Sequence, residues 1–162
     1  MKVEVRPLTR SDFAAFGEVI ETAGAAHYPI NEGMAERFHD LASIDVGGSG
    51  GRVLINIFIG QTRPRPIAIK MVERHPLGSQ CFMPLREQNY LVVVAKGEAA
   101  PEPESLRAFL ARGTQGVNYH RNAWHHPLLV LEADSPFLVI DRGGEGNNLE
   151  EAYFAEPAVL DW

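Results

Sequence analysis

The 162-residue chain reads as a mainly-β sandwich or small barrel with a few short helices. Three observations predict this. The runs "RVLINIFIG" and "YLVVVA" are β-branched and aromatic, "KVEVR" and "RPIAIKMVERH" alternate with period two, and 15 glycines with 11 prolines suit many short strands joined by tight turns. In chain order, "KVEVR" opens the structure as a strand. "TRSDFAAFG" follows with Thr9, Asp12 three residues on and a stop at Gly17, a capping-box-like start to a short helix. Next come "RVLINIFIG" and then "RPIAIKMVERH", in which Ile67, Ile69 and Met71 alternate against Ala68, Lys70 and Val72. After "YLVVVA", "GEAAPEPE" is a surface loop, and "PESLRAFLARG" places Leu106, Phe109 and Leu110 on one face of a second short helix ending before Gly113. "HPLLVLEA" and "PFLVIDRGG" are the late strands, split by the turn-like "ADSP".

Composition narrows the function. A chain this long, 45% hydrophobic and without internal repeats, suits one domain around a sizeable core, over residues 1–162. Lys and Arg total 15 against 21 Asp and Glu, a net charge of −6 with no basic run, which argues against nucleic acid and anionic membranes as partners. Cys81 is alone, so neither an internal disulfide nor a cysteine zinc site is available. "MKVEVRPLTR" has no apolar core of signal-peptide length, and no apolar run approaches the roughly 20 residues of a membrane span. The expected setting is the cytoplasm.

Three of the six histidines, His120, His125 and His126, fall within seven residues of "GVNYHRNAWHH". In a strand, His125 and His126 face opposite ways, so one of the two is the pocket residue; a turn at Arg121 and Asn122 would free His120 to stand beside either. A second polar cluster ends the earlier strand in "ERHPLGSQCFMP", where Glu73 and His75 share a side and Gln80 follows the turn-like "PLGS". A carboxylate, an imidazole and an amide, joined by one histidine of the later stretch, make a four-ligand set of nitrogen and oxygen donors. Zinc, nickel, manganese and ferrous iron all suit such a set.

The spacing of Glu73, His75 and Gln80 resembles a degenerate first cupin motif, HxH followed by three or four residues and Glu. Residues 120–125 resemble the second motif, PxGxxH, which makes His125 the pocket histidine and turns His126 away. More specifically, "PLT", "DFAAFGEVIET", "INEGMAERFHDLA", "ERHPLGSQCFMP", "LRAFLARGTQGVNYHRNAWHHPL" and "IDRGG" resemble the ureidoglycolate lyase family over nearly the whole chain. The resemblance implies a cupin-like, jelly-roll-type β-barrel, a homodimer, nickel as the associated cofactor, and cleavage of (S)-ureidoglycolate to glyoxylate and urea.

That substrate is a hemiaminal whose central carbon carries a hydroxyl, a carboxylate and a ureido nitrogen. Breaking the C–N bond needs a base for the hydroxyl proton, an acid for the departing nitrogen and a donor for the carboxylate. His125, His120 and His75 are the candidate acid–base groups, because imidazole titrates near neutrality. Glu73, His75, Gln80 and His125 are the candidate metal ligands. For the substrate's polar groups the candidates are Arg121, Gln80, and Arg37 and His39 of "RFHD". Arg74 has the opposite strand parity and reads as an outward salt-bridge residue, Asp141 as a turn-shaping residue, and Trp124 and Phe82 as core or pocket wall. The competing functions are a metal-dependent cupin dioxygenase or isomerase, and a non-enzymatic cupin that binds a small acid.

Overall fold

The structure is a computed structural model that describes residues 1–48 and 50–161. Its strands are β1 (Lys2–Pro7), β2 (Gly17–Ile20), β3 (His27–Ile30), β4 (Ala35–Phe38), β5 (Arg52–Gly60), β6 (Ala68–Arg74) and β7 (Gln80–Pro84). They continue as β8 (Tyr90–Ala95), β9 (Arg107–Ala111), β10 (Gly116–Tyr119), β11 (Trp124–His125), β12 (Leu129–Val130), β13 (Ser135–Gly143) and β14 (Glu150–Asp161). One sheet runs β11-β6-β14-β1-β9-β8-β12, and β11 also pairs with β8, so six of these strands close into a barrel. A second sheet, β2-β10-β7-β13-β5, packs against it, and β3 and β4 form a separate hairpin. The mainly-β barrel expected from the strand runs is what forms. No helix among the described residues is long and apolar enough to cross a membrane.

The alternation of β8 explains how the layers join. Tyr90, Val92 and Val94 enter a core shared with Phe82, Val117, Phe137 and Val139 of the second sheet. Leu91, Val93 and Ala95 enter a core inside the barrel with Val3, Ile69, Val72 and Leu160. Both faces of β8 are buried, which is why its sequence is an unbroken apolar run.

Three local expectations need adjusting. The first helix is real but short: α1 spans Arg10–Phe13, with the Thr9 side chain accepting from the Asp12 amide at 3.2 Å. Gly17 then starts β2, where a Cβ would meet the Asn118 carbonyl oxygen at 2.0 Å. The second helix is not there. Residues 103–105 make one 3-10 turn, and Arg107–Ala111 is β9, antiparallel to β8 and parallel to β1. Its two faces bury Phe109 in one core and Ala108 in the other, so tertiary pairing overrides a spacing that also fits a helix. In β6 the alternation breaks: Ile69 and Val72, three apart, both point into the barrel core, beside an irregularity in the pairing of β6 with β14.

Candidate functional site

β11 is two residues long and wedged between β6 and β8, pairing His125 with Glu73 on one side and with Val94 on the other. Cross-strand pairing therefore sets the His125 imidazole against the Glu73 carboxylate. His75 follows the end of β6 and Gln80 begins β7, bringing both to the same place. The preceding turn forms where Arg121 and Asn122 place it: the Ala123 amide donates to the His120 carbonyl at 3.0 Å, Asn122 takes φ +65°, and its amide donates to the His75 carbonyl at 3.0 Å. One hydrogen bond thus ties the two polar stretches together.

The ligand atoms of Glu73, His75 and His125 lie within 4.8 Å of one another. The Gln80 Oε1 is 3.0 Å from His75 Nε2 and 3.2 Å from His125 Nε2, and Glu73 Oε1 is 3.6 Å from His125 Nε2 and 3.8 Å from His75 Nε2. On the far side of each ring, Nδ1 meets a backbone carbonyl, Asn148 at 2.8 Å for His75 and Ala123 at 2.8 Å for His125. A carbonyl only accepts, so both Nδ1 atoms carry hydrogen. In the neutral rings both Nε2 lone pairs then converge on two oxygen acceptors. Acceptors facing acceptors repel unless a cation or a proton stands between them. Imidazoles anchored through Nδ1 with Nε2 turned inward are the arrangement that metal ligation uses. Glu73, His75 and His125 can hold a metal ion, and the amide of Gln80 completes a nitrogen and oxygen set that fits a divalent cation.

Electrostatics agree. Burial pushes the Glu73 carboxyl up, but the imidazoles around it, His125 foremost and then His75 and His126, more than offset this and hold it below its ordinary value. Burial pushes His125 down, against the raising effect of Glu73, so it stays neutral into mildly acidic solution. The Tyr119 ring stacks on His125 with centroids 4.0 Å apart and planes 11° apart, and burial followed by the charge of Glu73 keeps its phenol protonated. Cys81 is no nucleophile: burial and then the charge of Glu18 raise its thiol to about 11.

The remaining candidates stand elsewhere. His120 is half exposed, its Nε2 3.4 Å from Glu18. Arg121 is occupied by Asp45, which takes its Nε at 2.9 Å and its Nη2 at 2.7 Å. That pairing lowers the Asp45 carboxyl. Arg37 and His39 lie on and beside the separate hairpin, both next to Tyr28, with Arg37 6.0 Å from the ring centroid and His39 5.9 Å. Arg74 makes the expected salt bridge, bound to Glu150 at 2.6 Å and lying over Trp124 at 4.4 Å, but its side chain is largely covered rather than outward. His126 is buried but contributes to another cavity.

Two groups escaped the sequence reading. Asp141, read as a turn residue, accepts from Gln80 Nε2 at 3.3 Å and from Asn56 Nδ2 at 3.1 Å. Its carboxylate decides which way the Gln80 amide points, and so delivers Oε1 to the imidazoles. Asn148 holds His75 through its carbonyl and the Leu77 amide through its side chain at 2.8 Å. Both lie more than 60 residues from their partners, and no spacing rule reaches that far.

The sequence profile of the ureidoglycolate lyase family matches residues 1–161. A ureidoglycolate lyase of Brucella ovis is 57% identical over 154 residues, covering 95% of this chain and 90% of the relative. One from Rhizobium etli strain CIAT 652 is 54% identical over 158 residues (98% and 95%), and one from Pseudomonas syringae pv. syringae 50% over 159 (98% and 94%). A solved chain of Bacillus subtilis oxalate decarboxylase superposes at a TM-score of 0.37 with 11% identity, over 69% of this chain and 30% of that one, too remote to bear on the site. Full-length agreement at this identity settles kinship: the chain belongs to the ureidoglycolate lyase family.

Proposed function

We propose that the chain cleaves (S)-ureidoglycolate to glyoxylate and urea at the Glu73, His75, Gln80 and His125 cluster. Family membership supplies the reaction, and the convergence of these four side chains is the observation that carries the site. In the reaction the hydroxyl loses its proton, the O–H electrons become the second C–O bond of glyoxylate, the C–N bond breaks, and the nitrogen takes up a proton as urea leaves. Glu73, ionised at neutral pH and buttressed by His125, is placed to take the hydroxyl proton. Where no ion occupies the cluster, His75, more open than His125 and held through its Nδ1–H by the Asn148 carbonyl, is placed to take that proton from Glu73 on its inward Nε2 and pass it to the nitrogen. The carbonyls of Asn148 and Ala123 orient the two imidazoles, and Gln80 Oε1 faces both Nε2 atoms.

Nickel is the cofactor we infer from the family, and Glu73, His75, His125 and Gln80 would hold it. A divalent cation there would acidify the substrate hydroxyl and chelate it with the carboxylate, supplying the positive charge that Arg121 gives to Asp45 instead. The test is release of urea and glyoxylate from pure protein, before and after exhaustive chelation, with elemental analysis of both samples. No release from metal-loaded protein refutes the activity. Full release from metal-free protein removes the metal from the mechanism.

We infer a cytoplasmic homodimer. Val53, Ile55, Ile57 and Ile59 line one face of β5 and are 51 to 73% exposed, and β5 pairs along one edge only among the described residues. An apolar edge strand of nine residues is a surface that a second copy covers in a two-fold contact. Sedimentation of the wild type at micromolar concentration should give a dimer, and Ile57→Lys a folded monomer. A monomeric wild type refutes the interface.

A further inference from the structure

A cavity of about 370 Å³ opens beside β6, lined by Arg63, Pro66, Lys70, Met71, His126 and Tyr153 among others, with no acidic side chain in its wall. Arg63 and Lys70 make no hydrogen bond or ion pair among the described residues, whereas Arg74 and Arg121 are both neutralised by carboxylates. Two uncompensated cations at one cavity, in a chain of net charge −6, favour an anion. His126 is only 5% exposed, and its Nδ1 lies 2.7 Å from the Pro127 carbonyl, to which it must donate. Its Nε2 has no partner among the described residues and, in the neutral ring, offers a lone pair. Complementary chemistry is therefore a carboxylate next to a hydroxyl donor, on a carbon skeleton short enough for the apolar walls of Pro66 and Met71.

We propose that this cavity binds a small 2-hydroxy acid, with its carboxylate on Arg63 and Lys70 and its hydroxyl donating to His126 Nε2. The site is separate from the Glu73 cluster. His126 follows His125 directly, and strand alternation sends the two imidazoles to opposite sides, His125 onto Tyr119 and His126 into this cavity.

The experiment is a titration of ¹⁵N-labelled full-length protein with glycolate and with acetate, followed by amide chemical shifts. Glycolate should shift the amides of Arg63, Lys70 and His126 saturably and bind at least about threefold more tightly than acetate, the hydroxyl making the difference. Arg63→Gln with Lys70→Gln, both exposed positions, should weaken glycolate at least about tenfold, and Glu73→Gln should leave it unchanged. Shifts that persist in the Arg63 and Lys70 double variant overturn the proposal, as does the absence of any saturable shift. So do shifts that centre on His75 and vanish with Glu73→Gln. Because glycolate carries no ureido group, failure here leaves the lyase reading standing on its own assay.

Discussion

His126 should make the fold sensitive to mild acid. Burial lowers its imidazole from 6.5 to about 4, against the raising effect of the hydrogen bond to the Pro127 carbonyl and with a further lowering by the charge of Arg63. Between these values the unfolded chain binds a proton that the folded chain does not. Stability therefore rises with pH across the window, is fully present above pH 6.5, and is lost as pH falls toward 4. Linkage at 1.36 kcal/mol per pH unit gives a loss of about 2 kcal/mol between pH 7 and pH 5 from this one group. The perturbation is His126→Gln, which keeps a polar side chain and removes the titration. Urea unfolding at pH 7 and pH 5 reads it out: the wild type should lose about 2 kcal/mol more than the variant over that interval. Acids elsewhere titrate in both proteins and cancel. Equal losses would show that His126 is not held neutral, and the burial argument would fall with that result.

Glu73→Gln keeps the shape of the side chain and removes its charge, and turnover should drop at least about a hundredfold with circular dichroism unchanged. Asp141→Asn frees the Gln80 amide to turn its nitrogen toward the imidazoles. Metal affinity or turnover should then fall roughly 10- to 100-fold, the usual cost of losing a group that orients a ligand. Competitive metal titration beside steady-state kinetics checks it, and unchanged values would remove Asp141 from the site.

Which parts were legible in the chain follows from the range of the interactions. The Thr9 cap spans three residues, and the run at Tyr90–Ala95 reports its own burial, so both are written locally. The shared side of Glu73 and His75 follows from strand period, which also sends His125 and His126 opposite ways; the likeness to the second cupin motif is what picks His125 as the inward one. The segment at Arg107–Ala111 misleads because Leu106, Phe109 and Leu110 satisfy helical spacing, while pairing to β1 and β8 is what decides the outcome. Arg121 has a partner that is hidden for a similar reason. Its guanidinium suits a substrate carboxylate, and nothing near it in sequence announces Asp45, 76 residues away. Asp141 and Asn148 become visible only when β13 and the loop before β14 fold over the site.

The central claim is that the inward histidine is His125, acting beside Glu73 and His75. Steady-state cleavage of (S)-ureidoglycolate by folded His125→Ala, His75→Ala and His126→Ala variants tests it most directly. The first two should lose at least about a hundredfold in kcat, while His126→Ala keeps turnover close to the wild type and loses stability instead. Normal turnover in His125→Ala together with a dead His126→Ala would place the chemistry on the other side of β11 and contradict the account.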